Sequence, residues 1–148
     1  MVDAVDVPVI AAGGITDGRG VAVAFALGAA AAQIGTAYLF TPEALISDLH
    51  RAALAEARDD DTALTNVFTG RAARSLLNRT VREVGPMTDA PPAFPTAGAA
   101  LAPLKSAAEA ARSADFSSLW SGQAAALGRE MSTGDLTRRL ADEAAQRI

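Results

Sequence analysis

The sequence predicts an α/β fold that forms the end of a larger barrel. Two short apolar segments, residues 7–12 and 31–34, have the composition of parallel strands buried on both faces, and glycine follows each of them. The stretch between them, residues 19–27, predicts one helix that ends at Gly28. Two parallel strands joined by a helix form the repeating unit of α/β barrels and open sheets. Because the chain contains only two such strands and the first begins almost at Met1, we expect part of a barrel rather than a closed one.

Composition excludes several classes of function. Half of the 148 residues are apolar and the formal net charge is −4, which argues against disorder and against nonspecific binding of nucleic acid. The absence of cysteine excludes disulfides, thiolate metal sites and a cysteine nucleophile, and a single histidine argues against a zinc site. No serine triad, carboxylate pair or Walker lysine can be assembled, so we predict no catalytic residue and no metal site in the chain. No segment reads as a signal peptide or a membrane span, and we expect a soluble, cytoplasmic protein.

After Phe40 the pattern predicts helices only. The first is expected to begin at Thr41-Pro42-Glu43, where a capping residue precedes proline, and to bury a face that includes Leu45. Three more helices are predicted, over residues 70–82, 118–130 and 134–148, the last with apolar residues at i, i+4 spacing. Residues 85–98 contain four prolines and predict an extended loop. We therefore divide the chain into strand–helix units over residues 1–58 and a helical region over residues 59–148.

Glycines mark the carboxyl ends of both predicted strands. Gly13-Gly14 follows the first strand, and Gly35-Thr36 follows the second. The carboxyl ends of parallel strands share one rim of the sheet, and glycine allows a ligand to reach the backbone amides there. A single Gly-Gly is commonly no more than a tight turn, but the second glycine end on the same rim favours a phosphate site, to which Thr36 could add a hydroxyl donor.

Longer motifs surround these glycines and continue along the chain. They are the runs Pro8-Val9-Ile10-Ala11-Ala12-Gly13-Gly14-Ile15-Thr16-Asp17-Gly18-Arg19-Gly20, Leu27-Gly28-Ala29, Gln33-Ile34-Gly35-Thr36, Phe68-Thr69-Gly70-Arg71, Asn78-Arg79 and Leu119-Trp120-Ser121-Gly122-Gln123. Together they closely resemble the carboxyl-terminal part of the nitronate monooxygenases, formerly called 2-nitropropane dioxygenases. The resemblance covers essentially the whole chain.

This resemblance implies an FMN-dependent enzyme on a TIM (β/α)8 barrel, of which the chain would form the last two β/α units and a helical tail. Such enzymes oxidise alkyl nitronates with O₂ to carbonyl compounds and nitrite. Carried over by residue, Gly14 and the segment Gln33-Ile34-Gly35-Thr36 would hold the FMN phosphate, chiefly through backbone N–H groups, and Ala12 and Gly13 would line the same rim. The family's catalytic histidine lies on an earlier strand. We therefore expect the chain to be inactive alone and the rest of the barrel to come from elsewhere, for instance from a second chain.

Two other functions remain open at this stage. The flavin-dependent enoyl-acyl-carrier-protein reductases share the barrel and very similar glycine segments. Alternatively, the chain could be a non-catalytic helical interaction module whose glycines meet no ligand.

Several other residues have structural interpretations. His50 lies beside an apolar helical face and is expected to be structural, and Asp17 is expected to cap a helix. The arginines 71, 74, 79 and 82 predict a solvated face with local ion pairs. Trp120 and Gln123 could face either a cofactor pocket or the protein core.

Overall fold

The computed structural model describes residues 1–148, which form two compact units. One unit contains Met1–Leu45 and Gln123–Ile148, and the other contains Ile46–Gly122. No helix combines the length and the apolar character needed to cross a membrane. The division at residue 58 between barrel units and a helical region stays a prediction.

The first unit contains the predicted strand–helix–strand. Strands β1 (Ile10–Ala12) and β2 (Ala31–Gln33) pair in parallel, with Ala12 opposite Gln33. Helix α1 (Gly18–Ala26) connects them, and Gly28 follows it with φ of +87°, a left-handed conformation that glycine adopts without strain. The prediction is therefore confirmed, although both strands are shorter than expected.

The expectation that the first strand is buried on both faces is wrong for this chain. Val7 is largely exposed, and Ile10 keeps 59% of its surface accessible. The reason is that a sheet of two strands has too few neighbours to cover both of its faces.

Helix α5 (Thr133–Ala145) in the same unit packs against α1. Its buried residues follow the predicted i, i+4 spacing, and they form one core with residues of α1. The buried members of this core are Val21, Ala22, Ala37, Leu136, Leu140 and Ala144. The prediction of a carboxyl-terminal helix over residues 134–148 is confirmed, except that Ile148 lies beyond the helix and is exposed.

The second unit contradicts the prediction of helices only after Phe40. Strands β3 (Thr62–Thr65) and β4 (Ala73–Leu76) form an antiparallel hairpin, so the helix expected over residues 70–82 is wrong. Only the short helix α3 (Arg79–Glu83) lies at the end of that range. Strand β4 also pairs with a distant segment on its other edge, where the Leu76 amide donates to the Leu119 carbonyl over 2.8 Å.

The same distant pairing makes the predicted helix over residues 118–130 wrong. Trp120 forms an antiparallel bridge with Ser75, which requires extended backbone. A short 3₁₀ helix over Ala125–Leu127 is the only helix in that range. Trp120 packs edge-on against Phe68, with ring centroids 5.7 Å apart.

The first helix of the second unit, α2 (Asp48–Glu56), begins later than predicted. Its amino-terminal cap is Ser47, whose hydroxyl accepts from the His50 amide over 3.2 Å. Thr41 instead follows a 3₁₀ helix over Thr36–Phe40, and its hydroxyl donates to the Tyr38 carbonyl. Leu45 is fully exposed, so its predicted burial is also wrong.

The proline-rich segment forms a loop as predicted, up to the start of helix α4 (Ala97–Ala110). The sequence patterns did not indicate α4. Its alanine-rich sequence lacks a strong apolar stripe, and only Ala97 of the helix is buried.

Candidate functional site

The glycine rim, defined here as residues 13–14 and 33–36, lies at the carboxyl ends of β1 and β2. Gly13 and Gly14 directly follow β1, with φ of +93° and +69°. Both angles lie in the left-handed region, where any residue with a Cβ is strained. The turn therefore requires glycine for its backbone conformation.

The second half of the rim lies beside the first because the two strands pair in register. Ala12 is opposite Gln33, so the residues that follow each strand leave the sheet side by side, about 4.8 Å apart at the last pair. Gly35 then caps the 3₁₀ helix over Thr36–Phe40. Ile34 turns its side chain toward the apolar core of the unit, whereas Gln33 and Gly35 are exposed.

The rim is open and is not filled by side chains. A Cβ built on Gly13, Gly14 or Gly35 meets no other heavy atom within 4 Å. The 3₁₀ helix over Thr36–Phe40 begins directly after Gly35, on the same side of the sheet. Because the space over both glycine turns is free, a ligand of phosphate size can approach the backbone there.

The amino terminus of α1, in contrast, is closed by two carboxylates. Asp17 accepts from the amides of Arg19 and Gly20 over 3.0 and 3.3 Å, which confirms its predicted role as a cap. The amide of Gly18 donates to Oε2 of Glu143 over 3.1 Å. Three consecutive amides of the first turn are thus occupied by protein acceptors.

The charges around this helix terminus are paired. The Arg19 side chain donates to Asp17 over 2.6 and 2.9 Å, and this hydrogen bond is the main reason that the pKa of Asp17 lies below its ordinary value. Hydrogen bonds from the Arg139 side chain and then from the Gly18 amide lower the pKa of Glu143 in the same way. Both carboxyl groups are therefore ionised at neutral pH.

Comparison with known protein families tests the resemblance that the motifs indicated. The sequence model of the family described as "Nitronate monooxygenase" matches residues 1–143. The chain belongs to the nitronate monooxygenase family.

Relatives and solved structures agree with this assignment. The nitronate monooxygenase of Pseudomonas aeruginosa is 43% identical over 137 residues, which cover 92% of this chain and 39% of that protein. A probable nitronate monooxygenase of Staphylococcus saprophyticus is 36% identical over 144 residues, or 97% of this chain and 41% of that protein. The chain therefore spans about 40% of the length of the curated relatives it matches.

Two solved structures show the likeness in three dimensions. The nitroalkane oxidase of Streptomyces ansochromogenes is 46% identical, with a TM-score of 0.87 over 98% of this chain and 41% of that one. FabK of Thermotoga maritima is 29% identical, with a TM-score of 0.75 over 97% of this chain and 46% of that one. Both solved structures therefore contain a region with the same α/β fold as this chain.

Within this family member, His50 has the structural environment that its sequence position predicted. It is buried, and its Nε2 lies 3.0 Å from the Trp120 carbonyl, so Nε2 carries the proton and donates. Burial lowers the pKa of His50, although the Trp120 carbonyl partly opposes that shift. Trp120 is half-buried against Phe68, and Gln123 is exposed.

The four arginines do not share one helical face. Arg79 forms the expected ion pair with Glu83 at 2.8 Å, and Arg82 is exposed on the same helix. Arg71 instead lies over the ring of Phe94, and Arg74 belongs to β4, where it donates to Thr62 of the partner strand. The predicted single face is therefore wrong, because a hairpin occupies half of the segment.

Sequence reasoning missed Glu143 as a neighbour of the site. It is separated by 125 residues from its partner Gly18, and no local pattern signals a contact over that distance. No group of three or more His, Cys, Asp or Glu residues is placed to hold a metal ion.

Proposed function

We propose that this chain forms the FMN phosphate site of a nitronate monooxygenase and contributes the last two β/α units of its TIM barrel. The complete enzyme would oxidise alkyl nitronates with O₂ to carbonyl compounds and nitrite. Family membership and the likeness to a nitroalkane oxidase support this reaction class.

The observation that carries the proposal is the open glycine rim at the ends of two paired strands. Gly13 and Gly14 present backbone in a conformation that other residues avoid, and Gly35 lies beside them with free space above it. Neighbouring backbone amides at such a rim form a concave anion site, and glycine allows the phosphate to approach them closely.

The residues present fit a phosphate ester better than a bare cation or an apolar ligand. We propose that the phosphate is bound through the backbone of Gly13, Gly14, Gln33, Ile34, Gly35 and Thr36, with the Thr36 hydroxyl as a further donor. The side chain of Ile34 packs into the core and so fixes the backbone that it belongs to. FMN would supply the redox chemistry, while these residues bind it and orient it.

The exposed apolar residues support a contact with the rest of the barrel. Val7 just before β1, Ile10 on β1, Val23 on α1 and Leu27 after α1 are all exposed although they are large and apolar. We propose that the remainder of the barrel covers this surface and pairs with the edge of β1, whether it belongs to the same polypeptide or to a second one. The catalytic base would lie in that remainder.

The experiment is a flavin titration combined with an oxygen-uptake assay. We expect the purified chain to quench FMN fluorescence more strongly than riboflavin fluorescence and to consume no O₂ with propyl-2-nitronate. Adding the amino-terminal part of the Pseudomonas aeruginosa relative should restore O₂ uptake. Turnover by the chain alone would contradict the missing base, and failure to bind FMN even with the added part would contradict the phosphate site.

A second candidate is an enoyl-thioester reductase that uses the same barrel. The structural likeness to FabK favours it, since that neighbour matches 97% of the chain. Oxidation of NADH or NADPH driven by an enoyl thioester, without nitronate-dependent O₂ uptake, would select this function.

A further inference from the structure

Helix α5 contacts both elements that follow the glycine turns. At α1, Oε2 of Glu143 accepts from the Gly18 amide over 3.1 Å. At the 3₁₀ helix after Gly35, the Tyr38 hydroxyl lies 2.9 Å from Oγ1 of Thr137. One helix near the carboxyl terminus thus braces the residues downstream of both halves of the rim.

The contact at Gly18 leaves no room for a side chain. A Cβ built on Gly18 would overlap the Cβ of Glu143 and would lie 2.9 Å from the Ala144 nitrogen. The backbone of α5 therefore lies directly against the first residue of α1. The carboxylate of Glu143 is itself held, because its Oε1 accepts from Nε of Arg139 over 2.6 Å.

The glycine turn has no comparable support at its centre. Gly13 and Gly14 are exposed, and the positions that their side chains would occupy are empty to 4 Å. Glycine also has more conformational freedom to lose than any other residue when a turn is ordered. The shape of the turn therefore depends on how firmly its two ends are fixed, by β1 on one side and, on the other, by Ile15, Thr16 and the contact of Gly18 with α5.

We propose that Glu143 is a positioning residue that holds residues 13–18 in the shape that binds phosphate. This inference rests on the proposed function and adds a residue to it. Without the Glu143 acceptor, the Gly18 amide loses its partner although Asp17 still caps Arg19 and Gly20. The turn before Gly18 then samples other conformations, so binding of the phosphate must order it at a cost in affinity.

The decisive variants are Glu143→Ala, which removes the acceptor, and Glu143→Gln, which keeps an oxygen that can accept from Gly18. Asp142→Ala is the matched control because it removes an exposed carboxylate from the adjacent position of α5. Two readouts apply to each variant: backbone amide exchange of residues 13–20, and the ratio of the dissociation constants for FMN and riboflavin.

We expect Glu143→Ala to accelerate exchange in residues 13–20 and to weaken FMN binding by about fivefold, the effect typical of a lost helix cap. Binding of riboflavin, which lacks the phosphate, should not change. Glu143→Gln can keep the acceptor for Gly18 but loses the ion pair with Arg139, so its exchange and FMN binding should lie between those of the native chain and of Glu143→Ala. Exchange in the β3–β4 hairpin should be unaffected in every variant.

Two results would overturn the inference. One is unchanged exchange in residues 13–20 of Glu143→Ala, and the other is an equal loss of FMN and riboflavin binding, which would indicate a general structural role. If the native chain binds FMN no more tightly than riboflavin, the proposed function fails, while the exchange data still decide whether Glu143 fixes the turn.

Discussion

Substitution of Gly18 by alanine should destabilise the chain, although alanine normally favours a helix. Gly18 is the first residue of α1, and replacing glycine in a helix by alanine stabilises it by up to about 1 kcal/mol. The new Cβ would overlap the Cβ of Glu143 and would lie 2.9 Å from both the Glu143 carbonyl carbon and the Ala144 nitrogen. Because two of these three atoms are backbone, α5 must move as a unit.

The magnitudes decide the direction. Overpacking of this kind costs about 1–3 kcal/mol, and displacement of α5 also breaks the hydrogen bond from the Gly18 amide to Glu143, worth about 1 kcal/mol. After the gain in helix propensity, we expect a net loss of about 2 kcal/mol, which lowers the melting temperature by about 4–8 °C in a chain of this length.

The assay is thermal and urea unfolding followed by circular dichroism, with Gly20→Ala as the control. A Cβ on Gly20 meets first Cγ2 of Ile15, at 3.3 Å, a tight contact without overlap, so this alanine should change the melting temperature far less than Gly18→Ala. A Gly18→Ala variant as stable as Gly20→Ala would refute the close packing of α5 on α1.

Three further predictions concern Gly14, Gly128 and His50. Gly14→Ala places a residue with a Cβ in a backbone conformation with φ of +69°, at a cost of about 1–2 kcal/mol, and should weaken FMN binding in a fluorescence titration. An unchanged dissociation constant for FMN would contradict phosphate binding at the glycine rim. Gly128→Ala places a Cβ 2.6 Å from Cζ of Phe40 and should lower the melting temperature, whereas Gly134→Ala, whose nearest neighbour is 3.5 Å away, should not. Burial lowers the pKa of His50, so the unfolded state binds a proton on this residue more readily than the folded state does. The free energy of unfolding should therefore be highest above about pH 6.5 and should fall as the pH drops below that value. In His50→Gln the urea midpoint should lose this pH dependence.

The parts of the fold that the sequence predicts correctly are those set by neighbouring residues. The β-branched run before Gly13 and the cap at Asp17 define a strand, a turn and a helix within twenty residues. The i, i+4 spacing that includes Leu136 and Leu140 defines α5 equally well. These sequence signals are local, and the structure contains the elements that they predict.

Two of the features that the sequence does not predict, the strand β4 and the contact of Glu143, depend on partners elsewhere in the chain. The strand β4 contains Arg74 and Ser75 and has no alternating apolar pattern, so it reads as a helix until its partners are known. Those partners are β3, which precedes β4 in the same hairpin, and the segment at Leu119 and Trp120, more than forty residues away. The same limit hides Glu143, whereas the glycines of the rim are visible because their turns are local.

The two carboxylates at the start of α1 determine where an anion can bind in this unit. A phosphate commonly occupies the amino terminus of the helix that follows a glycine-rich turn. Here Asp17 and Glu143 already accept from those amides, and a dianion placed there would displace one carboxylate and be repelled by the other. Arg19 offers no compensation, since its guanidinium is paired with Asp17. In the proposed site, a phosphate would therefore bind one step earlier, over the glycine turn and beside Gly35, where the space is open. If the proposed site is correct, Glu143 would keep the start of α1 closed to the anion, because it already accepts from the Gly18 amide.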